Sequence, residues 1–194
     1  MDYGSAKSPS RVSVVEMTDP ADANAGIESI KLDAVQLEAA PFRARRVAVR
    51  LETTALLFHS TSHRVRTRTH ALEDTVAYAA FGPRTRGTVN GLQVRSDLLL
   101  AVEPRVEVAV VTGANWESII VMIAPGEIRS HLEARKRGRE FHLPSGVELL
   151  RARPDRVRDL FDLGKRLATV AERQPWLFDE SRGDREAAEV ELVR

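Results

Sequence analysis

Cysteine occurs nowhere in this chain. Its absence removes disulfides, thiolate nucleophiles and thiolate-bound metal at one stroke, and it suits a cytoplasmic protein. A charge excess is also missing: 29 basic residues face 28 acidic ones, leaving a net charge of +1, where a nucleic-acid module normally carries a clear basic surplus. No apolar run approaches the roughly 18 residues that a membrane-spanning helix needs. The opening decapeptide, Met1 to Ser10, holds Asp2, Lys7 and serines around no apolar centre, so it reads as something other than a secretory leader.

The common catalytic signatures are missing too. The sequence contains neither the nucleophile elbow G-x-S-x-G, nor the phosphate cradles G-x-G-x-x-G and G-x-x-x-x-G-K-[ST], nor the zinc motif H-E-x-x-H. Five histidines are scattered as His59, His63, His70, His131 and His142. His59 and His63 are four apart, and in strand-like surroundings that spacing puts them on one face but too far apart for one ion. The expectation is a chain with no catalytic residue, no cofactor and no native metal site, in which His59 packs in or near the core and the other histidines lie at the surface.

What remains is globular. Hydrophobic residues at 43% and charged residues at 29% give enough apolar surface for a packed core. Residues 1–25 are rich in Ser, Ala, Asp and Pro without an apolar period, and read as a flexible arm. From Ile27 to Ile123 short apolar runs alternate with turn signals. Val65, Thr67 and Thr69 interleave with Arg64, Arg66 and Arg68, a period of two. Asn90-Gly91, between Thr88-Val89 and Leu92-Val94, predicts a tight hairpin, because both residues tolerate positive φ. About seven to nine short strands at a spacing of roughly 8–12 residues predict a sandwich or barrel. Alternation nominates Leu56, Phe58, Tyr78, Ala80, Val89, Leu99 and Trp116 as inward-facing, and Phe58, Tyr78, Leu99 and Trp116 as the candidate ligand pocket.

After Pro125 the period changes to 3.6. Gly126 to Arg137 reads as one helix closed by Gly138. Residues 138–152 form a connector containing Phe141, Leu143, Pro144 and Gly146. Pro154 and Asp155 then open the strongest helix in the chain. Val157, Leu160, Phe161, Gly164, Leu167, Ala168 and Ala171 fall on one stripe, and Gln174-Pro175 ends it. Such a stripe has to be buried. A two-fold contact between two copies would do this, with Leu160, Phe161 and Leu167 as anchors and Gly164 allowing close approach; packing on the chain's own barrel is the competing arrangement. A last helix begins near Asp184.

Three basic clusters punctuate the chain: Arg43, Arg45, Arg46 and Arg50; Arg64, Arg66 and Arg68; Arg135, Lys136, Arg137 and Arg139. They read as solvated strand faces and loop tips. The C-terminal helix is acidic and ill suited to a polyanion, so residues 154–194 do not read as a helix-turn-helix.

The order of segments resembles the N-terminal domain of AraC/XylS-family transcription regulators, in particular the subgroup resembling the ethanolamine operon regulator. Gln36-Leu37 with Pro41-Phe42-Arg43-Ala44-Arg45 is similar to the opening strand pair of those domains. Arg86-Gly87-Thr88-Val89-Asn90-Gly91 is similar to their central hairpin. Glu103-Pro104, Val106-Glu107-Val108 and Trp116-Glu117-Ser118-Ile119-Ile120-Val121, then Ala124-Pro125, are similar to their closing strands and first helix. The resemblance spans roughly residues 27–175. It implies a mainly β, cupin-like antiparallel barrel of jelly-roll type followed by C-terminal α-helices. In domain terms, residues 1–25 are an arm, 26–137 the sensor barrel, and 138–194 the connector and dimerisation helices. It further implies a cytoplasmic homodimer taking a small-molecule effector and reaching DNA only through helix-turn-helix units that this chain lacks, as a truncated or separately encoded fragment would. A metal-dependent cupin-fold enzyme and a ligand-free protein-interaction module are the alternatives.

Overall fold

The computed structural model describes residues 9–27, 30–71, 74–140, 142–150 and 152–193. Twelve strands are found among them: β1 (Val12–Met17), β2 (Ile30–Gln36), β3 (Ala44–Arg50), β4 (Thr54–Thr61), β5 (Val65–Ala71), β6 (Val76–Phe81), β7 (Gly87–Val89), β8 (Leu92–Gln93), β9 (Leu99–Val102), β10 (Glu107–Thr112), β11 (Trp116–Ile123) and β12 (Val147–Leu150). Four α-helices occupy the C-terminal third: α1 (Pro125–Ala134), α2 (Pro154–Arg173), α3 (Trp176–Glu180) and α4 (Arg182–Leu192).

The strands form two sheets. One runs β1-β3-β4-β11-β6-β9-β12 and the other β2-β5-β10-β7-β8, and their paired strands are antiparallel. Non-consecutive neighbours, such as β11 between β4 and β6, give the crossed connections of a jelly roll. This is the mainly β arrangement with trailing helices that the change of period predicts, and the cupin-like jelly roll that the family resemblance implies.

Two boundaries are corrected. Residues 12–17, assigned above to a flexible arm, pair with β3 from Val12↔Val49 to Met17↔Ala44. Met17 is buried, and Pro20–Asn24 form a 3-10 turn. Residues 1–8 of the expected arm lie outside the described residues. Within the expected connector, β12 pairs with β9 and completes the seven-stranded sheet, so the barrel extends past residue 137; Phe141 of that connector lies outside the described residues. A six-residue edge such as β1 contributes too few alternating apolar residues to stand out in sequence.

Local chemistry explains the remaining elements. Asn90 and Gly91 have φ of 47° and 79°, as a two-residue hairpin of the expected type requires, and Asn90 Oδ1 accepts from the Ala109 amide at 2.8 Å. The first helix stops at Ala134, short of the expected end: Lys136, not Gly138, takes the left-handed conformation (φ 59°), while the Arg137 amide donates to Leu132 O at 2.7 Å. Helix α2 starts with Pro154 at its first position, where a missing N–H costs nothing, and ends before Pro175.

The stripe of α2 lies on the outer face of the seven-stranded sheet. Val157, Phe161, Ala168 and Ala171 are buried in one cluster with Val47, Val49, Leu56, Phe58, Ile119 and Val121; Leu160, Leu163 and Leu167 pack against it half-buried. Gly164 sits over Ile119. The chain's own barrel therefore covers the stripe nominated for a dimer interface, so Val157, Phe161, Gly164, Ala168 and Ala171 are not free to meet a second copy. The close neighbour at Gly164 is a strand of the same chain. Helix α4 is clamped beside it by two buried charges. The Glu189 carboxylate accepts from the Glu52 and Thr53 amides at 2.9 and 3.0 Å and from the Thr53 hydroxyl. Arg185 pairs with Glu52 and donates to Phe178 O at 2.7 Å.

Candidate ligand cavity

Each strand of the seven-stranded sheet presents alternate side chains to the helices and to the opposite sheet. On β4, Leu56 and Phe58 join the helix-side cluster, whereas Leu57 packs with Ile30 across the barrel. On β11, Ile119 and Val121 face the helices, and Ile120 and Met122 face inward. The inward set thus contains Arg46, Leu57, His59, Trp116, Ser118 and Ile120, all bordering a cavity of about 110 Å³. The opposite sheet closes it with Leu32, Ala34, Thr67 and Thr69. A second cavity of about 110 Å³ adjoins it, and Ile30, Thr69, Val110, Trp116, Ser118 and Ile120 border both. Each is several times the roughly 10–15 Å³ that one water needs by the same kind of measure, so this chain's side chains do not fill the barrel.

A polar row crosses this otherwise apolar floor. Arg46 of β3 stands opposite His59 of β4, and His59 stands opposite Ser118 of β11. Arg46 is 5% exposed, and its Nη1 donates to the carbonyls of Ala23 (2.7 Å) and Ala25 (3.2 Å). No acidic side chain among the described residues forms an ion pair with it. Burial pulls its pKa down to about 10, which leaves it charged at neutral pH. His59 Nδ1 is buried without a hydrogen-bond partner. Burial, and secondarily the charge of Arg46, push the His59 pKa down to about 3, so its ring is neutral. Trp116 Nε1 donates to Ser118 Oγ at 3.2 Å, and its ring meets Phe81 edge-on at 5.4 Å.

Of the four nominated pocket residues, Trp116 alone lies here. Phe58, Tyr78 and Leu99 belong to the opposite face. Phe58 lies under α2, with Lys165 Nζ 5.7 Å from its ring centroid. Tyr78 and Leu99 line a separate space of about 160 Å³ against Ile128, Leu132, Leu160 and Leu192 of the helices. The alternation was sound, but its phase was one residue out on three of the four strands, and a slip of one exchanges the two faces. Arg46, placed among solvated cluster residues, is interior. A signal for it existed: Val47 and Val49 occupy one face of β3, and Ala44 and Ala48 share the other with Arg46, so both faces are apolar and one arginine had to be covered. His59 lies in the barrel as expected. His63 is separate, its ring 6.1 Å from that of Phe42, and among the described residues no three His, Asp or Glu side chains gather as a metal would require.

A more open cleft of about 310 Å³ lies outside the barrel near Glu16, Arg45 and Glu117. Arg45 there is paired with Glu16 and Glu172, and Glu117 with Lys165 at 2.6 Å, while Arg43 and Arg84 on its edge are exposed to solvent. The enclosed interior, with its unpaired cation, is the stronger candidate.

No family model matches the chain, and no curated protein matches it in sequence. Two solved structures overlap with it in part. The AraC-like transcriptional activator CuxR does so with a TM-score of 0.46 at 10% identity, over 84% of this chain and 58% of that one. An oxalate decarboxylase does so with a TM-score of 0.28 at 13% identity, over 66% of this chain and 44% of that one. The chain thus spans a little over half the length of CuxR, and its fold assignment stands on the strand order and register described above.

Proposed function

We propose that this chain is the effector-binding regulatory domain of a bacterial AraC-type transcription regulator of the ethanolamine-regulator-like subgroup, acting in the cytoplasm and not as an enzyme. The observation that carries the ligand-binding part is the unfilled barrel interior with its polar row. A purely structural barrel gains stability by filling its centre, and burying there an arginine without a counter-charge and an imidazole nitrogen without a partner costs several kcal/mol, with only the two carbonyl hydrogen bonds of Arg46 in return. A ligand supplies the return. The regulator part rests on the segment order from Gln36 to Pro125 and on helices α2 and α4 being carried rigidly on the barrel wall. DNA contact falls to helix-turn-helix units outside this chain, and any pairing of protomers uses a surface other than the buried stripe of α2.

Native mass spectrometry of the protein taken directly from cells tests this. The expected result is a small organic molecule retained on the folded chain and released on unfolding, with the oligomeric state read from the same spectrum. One transition metal per chain, with turnover lost on its removal, would establish the cupin-enzyme alternative instead.

A further inference from the structure

We propose that the barrel interior selects a monocarboxylate with a compact apolar body, its carboxylate held between Arg46 and His59; this rests on the ligand-binding reading above. The side-chain complement of the cavity sets the class. Arg46 is the cation that borders it, and a guanidinium presents a planar fork matched to a carboxylate. His59 is its direct cross-strand partner, so the two side chains start about 4.5–5.5 Å apart at Cβ, close enough for one carboxylate to reach both. The neutral ring offers its unpartnered Nδ1 as an N–H donor once that tautomer is selected.

Charge count separates a carboxylate from a phosphate. One arginine balances one negative charge. Among the described residues no other arginine or lysine borders either cavity, and the adjoining one is bordered by the carboxylate of Glu103 together with His70. A dianion would stay uncompensated in a low-dielectric interior. Most of the remaining wall is apolar: Leu32, Phe42, Leu57 and Ile120 about the first cavity, with Phe81, Leu100 and Val108 extending it past Trp116; of the hydroxyls on it, those of Thr61 and Thr112 donate to backbone carbonyls and that of Ser118 accepts from the Trp116 indole. Such a wall suits a short alkyl chain or a single ring.

The test uses the full chain and a defined series: butanoate, hexanoate, octanoate and benzoate, each with its matched primary amide and alcohol, and inorganic phosphate. Binding is read by calorimetry and by Trp116 fluorescence in a Trp176→Phe background. At least one carboxylate is expected to bind tenfold or more tighter than its amide and alcohol. Arg46→Met should abolish that preference, and His59→Gln should reduce it. If Arg46→Met does not fold, ¹⁵N NMR of the wild-type ring decides: hexanoate should shift the His59 nitrogens and the Trp116 indole together, and hexanamide should not. Equal affinity for carboxylates and amides would overturn the charge selection and leave the ligand-binding reading standing. No binding by any member of the series would overturn the monocarboxylate assignment, and the ligand-binding reading would then fall only if native mass spectrometry also found the chain empty. Phosphate binding more tightly than the carboxylates would overturn the monoanion argument alone.

Discussion

Gly164 of α2 lies so close to Ile119 of β11 that a Cβ on the glycine would come within 2.9 Å of Ile119 Cδ1 and 3.1 Å of its Cγ2. Ile119 is fully buried, so it has nowhere to retreat. Glycine inside a helix costs about 0.5–1 kcal/mol relative to alanine, and the sequence accepts that cost where helix and sheet meet most closely. Gly164→Ala is expected to lower stability by about 1–2 kcal/mol despite the gain in helix propensity, as overpacking outweighs it. Ile119→Val made in the same chain should recover part of the loss. Urea denaturation of the two single variants and the double variant measures the coupling; strict additivity would show that the two side chains do not meet.

The covered stripe makes a prediction about charge. Leu160 and Leu167 pack half-buried on the helix-side cluster. Leu160→Glu and Leu167→Glu should each destabilise the monomer by several kcal/mol, because an unpaired carboxylate is forced against apolar neighbours. Circular dichroism melts and light scattering distinguish this from the alternative, a well-folded protein whose oligomeric state alone has dropped.

Glu189 is 6% exposed and serves two backbone amides and a hydroxyl at the β3–β4 turn. Glu189→Ala leaves those donors without an acceptor, at a cost of about 1–3 kcal/mol for each that water cannot reach. The loss should be local first. Limited proteolysis is expected to cut between residues 174 and 181 in the variant well before the barrel is attacked, and equal resistance of variant and wild type would contradict the clamp.

His59 predicts an acid dependence. Its pKa is depressed in the folded state, from the ordinary 6.5 to about 3, so between those values the unfolded chain binds a proton that the folded chain refuses. The stability associated with this group is therefore fully present above about pH 6.5 and is lost as the pH falls towards 3. The slope is at most about 1.4 kcal/mol per pH unit. Wild type should lose roughly 2 kcal/mol from this group between pH 6.5 and pH 5, and His59→Gln should lack that component. Denaturant midpoints at the two pH values decide, and parallel losses in both proteins would rule out His59 as the source.

Much of this molecule could be read in advance because it depends on neighbours along the chain. The hairpin at Asn90-Gly91 follows from which residues accept positive φ. The change from period 2 to period 3.6 at Pro125 follows from where apolar residues recur, and the extent of α2 from Pro154 and Gln174-Pro175. Edges were harder. Strand β1 is hard to read because six residues with mixed exposure give little contrast, and its identity comes from pairing with β3, 27 to 37 positions away.

The site itself was decided by the tertiary structure. The seven-stranded sheet is apolar on both faces, since helices cover one and the second sheet the other, so alternation in β4, β6 and β9 marks two faces without saying which is interior. Phe58, Tyr78 and Leu99 fell on the wrong side for that reason. The stripe of α2 likewise required burial, and sequence could not say against what, because an apolar surface is satisfied equally by its own barrel or by a second copy. Arg46 and His59 come together only through the β3–β4 register, which turns one member of a basic cluster and one scattered histidine into neighbours inside the barrel. Composition and periodicity set the kinds of element; registry between strands distant in sequence set which side chains meet.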